Sequence, residues 1–170
     1  MIDLEYKIQE ATPQDAVQIL EFLKIVGGQT DNLSFGSEGY PITLEEEVGL
    51  LTKYQQEKKG VFLLAKVGDE IACVATSFPV DNRRHSHVFD LTISVQKKYW
   101  SKGIASKVMD EIIAFSKQRG CNKMMLYVNI DNKNAIGIYL KKGFEIEGKI
   151  NANMKIKDRY VDDYYMGKII

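Results

Sequence analysis

An excess of charge of either sign is missing from this chain: 23 basic residues meet 23 acidic ones, and the formal net charge over 170 residues is zero. Proteins that bind nucleic acid by neutralising phosphates carry a basic surplus or a basic face. That class is therefore disfavoured, and an RNA-associated role would have to rest on the local pairs Arg83-Arg84 and Lys97-Lys98. Histidine and cysteine are scarce at two each. His85, His87, Cys73 and Cys121 do not stand at metal-ligand spacings, so no metal is expected and both cysteines read as reduced packing residues. No run of about 18 apolar residues occurs, and the first ten residues hold no basic stretch followed by an apolar one. Neither a membrane partner nor a secretory leader is expected, and the cytoplasm is the expected location. Internal repeats and low-complexity segments are also lacking.

What remains is an ordinary globular composition, 45% apolar and 27% charged, in a length suited to one domain over residues 1–170. Alternating residues at 5–10 predict a strand. Thr12-Pro13-Gln14-Asp15 opens a helix whose stripe, Ala16, Ile19, Leu20, Leu23 and Val26, runs to Gly27-Gly28. A long loop leads to Pro41, and it reads either as a binding loop or as a connector. Thr43 with Glu46 has the capping-box spacing for a second helix, with Leu44, Val48, Leu51 and Tyr54 inward and Gly60 closing it. Residues 61–67 and 70–80 predict two strands joined at Gly68-Asp69, and 88–95 a third. A helix follows with Ile104, Val108, Ile112 and Phe115 inward, ending at Arg119-Gly120. The run 123–130 predicts a central strand covered on both faces. Asn132 caps a short helix over 133–141, and two last strands are expected over 144–150 and 159–169. Strand and helix do not alternate regularly, so a mixed α/β sheet is favoured over a doubly wound nucleotide fold.

The strand at 88–95 passes through a short turn into a helix, and the first turn of a helix offers about four unpartnered N–H groups and a partial positive charge. Ser101, Gly103 and Ala105 keep that backbone bare, and Lys97, Lys98 and Lys102 add charge beside it. A phosphate suits such an end.

Two segments together resemble the GNAT superfamily of N-acetyltransferases. Trp100-Ser101-Lys102-Gly103-Ile104-Ala105 stands where the family's acetyl-CoA pattern Gln/Arg-x-x-Gly-x-Gly/Ala is placed. Asn132, Ala135, Ile136, Tyr139, Gly143 and Phe144 match its Asn-x-x-Ala-Ile-x-x-Tyr-x-x-x-Gly-Phe signature. The stretch from Tyr99 to Ser106 also resembles the bacterial ribosomal-protein N-terminal acetyltransferase group. The resemblance implies a single mixed, mostly antiparallel sheet of about seven strands with four helices, splayed between its central strands. It implies acetyl-CoA as donor, with the pyrophosphate on Ser101, Lys102, Gly103, Ile104, Ala105 and Ser106. The pantetheine arm would lie along Ile93, Ser94 and Val95, with Asn132 on its other side, and Tyr139 would donate a proton to the departing thiolate.

Two departures stand out. Trp100 replaces a polar phosphate ligand, and Ser101 stands where glycine is frequent. Tyr127 occupies the strand position where related protein acetyltransferases carry a glutamate base. Asp90 is the candidate base in its place, with a strand-edge acid as the alternative, and His87 is a second candidate. Family position implies that the acceptor groove uses the 27–41 loop and the last hairpin, Lys149 to Arg159. In the loop, Asp31 and Glu38 suit a cationic amine, while Phe35 and Tyr40 suit an apolar or aromatic body. The expected partner is a small-molecule amine or a protein amine, and a homodimer is possible. Two functions stay open: an N-acetyltransferase acting by direct attack in a ternary complex, and a non-catalytic coenzyme-A-binding regulatory module.

Overall fold

The computed structural model describes residues 4–170. In chain order the elements are β1 (Lys7–Glu10), α1 (Ala16–Gln29), α2 (Leu44–Glu57), β2 (Val61–Val67), β3 (Glu70–Pro79) and β4 (Val88–Val95). They continue as α3 (Ile104–Gln118), β5 (Lys123–Asn129), α4 (Lys133–Lys141), β6 (Glu145–Ile156) and β7 (Arg159–Ile169). One seven-stranded sheet runs in the order β1-β2-β3-β4-β5-β7-β6. Every pair is antiparallel except β4 with β5. The expected mixed, mostly antiparallel sheet with four helices is the observed one.

Strand side chains alternate between faces, so each strand feeds two cores. Leu63, Cys73, Ala75, Phe89, Leu91, Met124, Leu126 and Met166 pack on one face with Ile104, Val108 and Ile112 of α3 and Ile136 and Tyr139 of α4. Phe62, Leu64, Ile71 and Val74 pack on the other with Ile19, Phe22 and Val26 of α1 and Leu51 and Tyr54 of α2. The second cluster draws its strand residues from β2 and β3 alone, so α1 and α2 pack on the β2–β3 side of that face.

Local signals placed several boundaries. The Thr43 hydroxyl accepts the Glu46 N–H and the Glu46 carboxylate accepts the Thr43 N–H, the reciprocal pair expected of a capping box. Other expectations are corrected. The segment Pro13–Asp15 is a single 3-10 turn, in which Thr12 donates from both its N–H and its hydroxyl to the Asp15 carboxylate. Gly27 and Gly28 lie inside α1, which ends only at Gln29. The second helix closes on Lys58 in the left-handed region, two residues before Gly60. Leu44 and Val48 face solvent; the inward positions belong to Glu47, Leu51 and Tyr54. On β5, Tyr127 is 49% exposed, on a face where β5 adds no residue to the cluster of α1 and α2.

The feature that opens a site is the short contact between β4 and β5. They pair only at Val88↔Lys123, Phe89↔Met124 and Asp90↔Met125, and beyond Asp90 the two strands separate.

Candidate active site

The separation leaves a row of backbone groups without a strand partner. The Gln96 N–H donates to the Ala72 carbonyl of β3, so by alternation the groups of Ser94 also face β3, whereas those of Leu91, Ile93 and Val95 face the gap. The His87 carbonyl, on the same odd-numbered side, accepts from Lys123 of β5. Ile93 and Val95 are therefore cleft residues. Ser94 is not: its backbone faces β3, and its side chain lies on the α1/α2 face with Val74, its partner in register.

The row leads to the N-terminus of α3. Gly103 is the N-cap residue with φ of 80°, a left-handed conformation that costs a side-chain-bearing residue about 1 kcal/mol or more. Ser101 adopts φ of 59° without being glycine, so the turn carries real backbone strain where the frequent glycine is absent. Nothing lies within 4 Å of a side chain added at Gly103, so the space over this turn is open. Ser101, Lys102 and Gly103 are exposed, while Ile104 is buried and anchors the helix in the core.

A set of side chains that no local sequence pattern reveals holds this turn in place. The Lys97 N–H donates to Gln29 Oε1 at 2.7 Å, tying the turn to the end of α1. Buried Gln96 donates from Nε2 to the Ile71 carbonyl at 2.7 Å and to Glu70 Oε1 at 3.2 Å. Lys98 Nζ and the Tyr99 hydroxyl each donate to Glu70 at 2.7 Å. Hydrogen bonding from Lys98 and then Tyr99 lowers the Glu70 carboxyl below its ordinary range. These partners meet only through the β2–β3 hairpin and the strand register, which no local pattern records. Trp100, expected as a lost phosphate ligand, has a different task. Its indole N–H donates to the Val95 carbonyl at 2.7 Å, closing that acceptor and leaving the Val95 N–H and the Ile93 amide groups along the cleft.

Across the gap, Asn132 caps α4 by accepting the Ala135 N–H on Oδ1 at 3.3 Å, so its amide NH2 is the part left for a ligand. Tyr139 lies on α4, 8% exposed, with its ring 5.9 Å from that of Phe144. Burial, and secondarily Cys73, push its phenol up to about 12. Tyr139 packs in the same core cluster as Cys73 and Ala75 of β3 and Leu91 of β4.

Asp90 sits where β4 leaves β5. Solvent reaches its side chain, yet enough protein surrounds the carboxyl to raise its pKa by desolvation. His87 lies at the other end of β4, exposed and away from the gap. Burial makes Cys73 and Cys121 poor nucleophiles: the first thiol is pushed far up and the second to about 11.

The four loop residues expected to bind acceptor stand in different settings, with Glu38 and Tyr40 lining one hollow. Glu38 accepts the Gly36 N–H at 2.8 Å, which lowers its carboxyl and makes it a brace of the loop. Phe35 packs on the α1/α2 core and meets Tyr40 edge-to-face at 5.8 Å. Asp31 is exposed, and Tyr40 lines a hollow of about 470 Å³ between α1 and the start of α2, with Leu20, Lys24 and Leu44. Tyr127, noted in the sequence at the glutamate position, meets Tyr165 ring to ring at 5.4 Å on the α1/α2 face, a pairing the sequence does not show.

The acetyltransferase (GNAT) family profile matches residues 30–144. The L-amino acid N-acetyltransferase AaaT of Escherichia coli is 38% identical over 87 residues, 51% of this chain and 54% of that protein. The chain spans about half the length of the curated relatives it matches. A solved acetyltransferase of the GNAT family from Streptococcus pneumoniae superposes with a TM-score of 0.93 at 32% identity, covering 98% of this chain and 100% of that one. At 14% identity, yncA of Salmonella typhimurium, solved with its cofactor acetyl-CoA, shares the fold with a TM-score of 0.85 over 96% of this chain and 93% of that one. A family match across most of the chain and a full-length likeness above 30% identity bring the separated strands, the bare helix end and the α4 tyrosine to one conclusion: the chain belongs to the acetyltransferase (GNAT) family.

Proposed function

We propose that this protein is an N-acetyltransferase that moves an acetyl group from acetyl-CoA to a primary amine by direct attack within a ternary complex. Acetyl-CoA is the donor. The observation that carries the reading is a row of unpaired β4 amides ending at an exposed, strained turn and a helix N-terminus. A pantetheine arm fits the row as an added strand, along Ile93 and Val95, and the pyrophosphate fits the N–H groups of residues 101–106. Asn132 faces the arm from α4.

The amine nitrogen attacks the thioester carbonyl, a C–N bond forms, the C–S bond breaks, and the ammonium proton leaves through Asp90. A carboxyl raised by its surroundings is a better proton acceptor than an ordinary aspartate. Tyr139 stays protonated at any physiological pH. With a thiol near 8.5, full transfer of its proton to the leaving sulfur is uphill by about 3.5 units, roughly 5 kcal/mol. Its first contribution is therefore a hydrogen bond to the developing thiolate. No covalent intermediate is needed, and the buried cysteines suit none.

The test is free-thiol release from acetyl-CoA in the presence of small polyamines, amino acids and peptide N-termini, beside calorimetric titration with coenzyme A. Binding with thiol release from at least one amine supports the reading. Binding with no thiol release from any of them would point to a coenzyme-A-binding module.

A further inference from the structure

The α1/α2 face of the sheet changes character at β4. On β2 and β3 it is apolar and covered by α1 and α2; among the described residues, none of β5 or β7 joins the cluster those helices form. There Tyr127 and Tyr165 are partners in register, and their rings stand 5.4 Å apart at 59°. The Tyr165 hydroxyl donates to Met125 Sδ at 3.2 Å, and Met125 is the register partner of Asp90. The two phenols thus stand on the same face as the Asp90 carboxyl, two residues along β5 and β7 from the Asp90–Met125–Gly167 row, at the base of the cleft. Burial raises the Tyr165 phenol first, with smaller contributions from Lys123, Glu147, Tyr127 and, last, Asp90.

Charge on this face is one-sided near the cleft. Taken by strand parity, the described residues of β4, β5 and β7 on this face include two cations, Lys123 beside the cleft and Arg159 at the far end of β7. The Lys123 ammonium donates to Glu147 at 2.7 Å and lies 5.8 Å from the Tyr165 ring centroid. That leaves the Asp90 carboxylate without a bonded cation beside two aromatic faces, one of them on a half-exposed ring. An ammonium is attracted to such ring faces and to the carboxylate together. A carboxylate carried next to the amine, as in an α-amino acid, would meet Asp90 with no free cation near the cleft to receive it, since Arg159 stands six residues along β7 from Tyr165, roughly 20 Å at the rise of a strand.

We infer that Tyr127, Tyr165 and Asp90 form the acceptor seat, and that it selects a cationic primary amine on an apolar chain with no carboxylate beside the nitrogen. The inference rests on the acetyl-transfer reading above and names its substrate class. Tyr127 and Tyr165 then determine specificity, and Asp90 is the catalytic residue they adjoin.

Calorimetric titration of the coenzyme-A-loaded protein with cadaverine and with leucine tests the seat without requiring turnover. Cadaverine is expected to bind, and leucine not to bind at concentrations that saturate with cadaverine. Tyr127→Leu and Tyr165→Leu should each weaken cadaverine binding about tenfold, Tyr165→Phe should retain most of it, and coenzyme A affinity should stay constant in all three. Leucine binding as well as cadaverine, or wild-type cadaverine affinity in both folded leucine variants, overturns the seat. Should either leucine variant fail to fold, the wild-type comparison of the two ligands and Tyr165→Phe still decide. Cadaverine binding at the seat without thiol release from acetyl-CoA would sink the transfer reading and leave the seat standing.

Discussion

Replacing Gly27 with alanine puts a methyl group where α1 and the loop after it already touch. Its Cβ would collide with the Gly36 carbonyl oxygen and stand 2.7 Å from the Gly36 carbonyl carbon and 2.9 Å from Phe35 Cδ2. The loop cannot easily give way there, because the Gly36 N–H is held by Glu38 and Phe35 is packed into the core. Gly28, one residue on, supplies the control: its added Cβ would lie 3.4 Å from Ser37 Cβ, an ordinary contact. Both substitutions gain roughly 1 kcal/mol of helix propensity. For Gly27→Ala that gain is opposed by overpacking of about 1–3 kcal/mol or more, since the clash is with backbone. For a chain of this size 1 kcal/mol moves the melting temperature by about 2–4 °C. Gly28→Ala should therefore melt about 2–4 °C higher than wild type, and Gly27→Ala should melt below wild type with the loop displaced. Differential scanning calorimetry reads both. Equal melting temperatures for the two variants would refute the close approach of α1 and the loop.

Four further outcomes follow from the site. Tyr139→Phe should lower turnover on the order of 100-fold while coenzyme A affinity by calorimetry stays constant, and unchanged turnover would remove its role at the leaving sulfur. Glu70→Gln should raise the acetyl-CoA KM roughly three- to tenfold with kcat and acceptor KM constant; a change in kcat alone would contradict the turn-holding role. Because desolvation raises Asp90, the folded chain keeps that proton to higher pH than the unfolded chain, so its share of stability declines as pH rises through that window. Asp90→Asn should accordingly melt higher than wild type at neutral pH and no higher in acid, a comparison made by thermal melts across pH. The same substitution should remove the acidic limb of the rate profile; retention of that limb would assign it to another group.

The fold was legible where local chemistry decides. The apolar run at 88–95 bounded β4 correctly, the reciprocal Thr43 and Glu46 contacts opened α2, and Asn132 capped α4. What failed to show depended on which elements meet. Leu44 and Val48 share a helix face four residues apart, yet that face points to solvent, and the turn below it buries Glu47 with one carboxylate oxygen unpartnered. Nothing in the structure explains that burial, which raises the Glu47 carboxyl. Gly27 and Gly28 read as a helix end because glycine so often is one, but Gly27 is required by the approach of Gly36. Of the site, the turn at 101–106 and Tyr139 were readable from motif spacing. The Glu70 hold on that turn and the Tyr127–Tyr165 pair were not, since each joins residues brought together only by strand register.

The central claim is that acetyl-CoA lies in the gap between β4 and β5 and on the N-terminus of α3. Backbone amide shift mapping by NMR during titration with coenzyme A tests it most directly. Perturbations should concentrate at Ile93, Val95, residues 101–106 and Asn132. Shifts gathered instead around the hollow formed by Tyr6, Ile8, Lys107 and Phe115, on the far side of the sheet's β1 edge, would contradict the account.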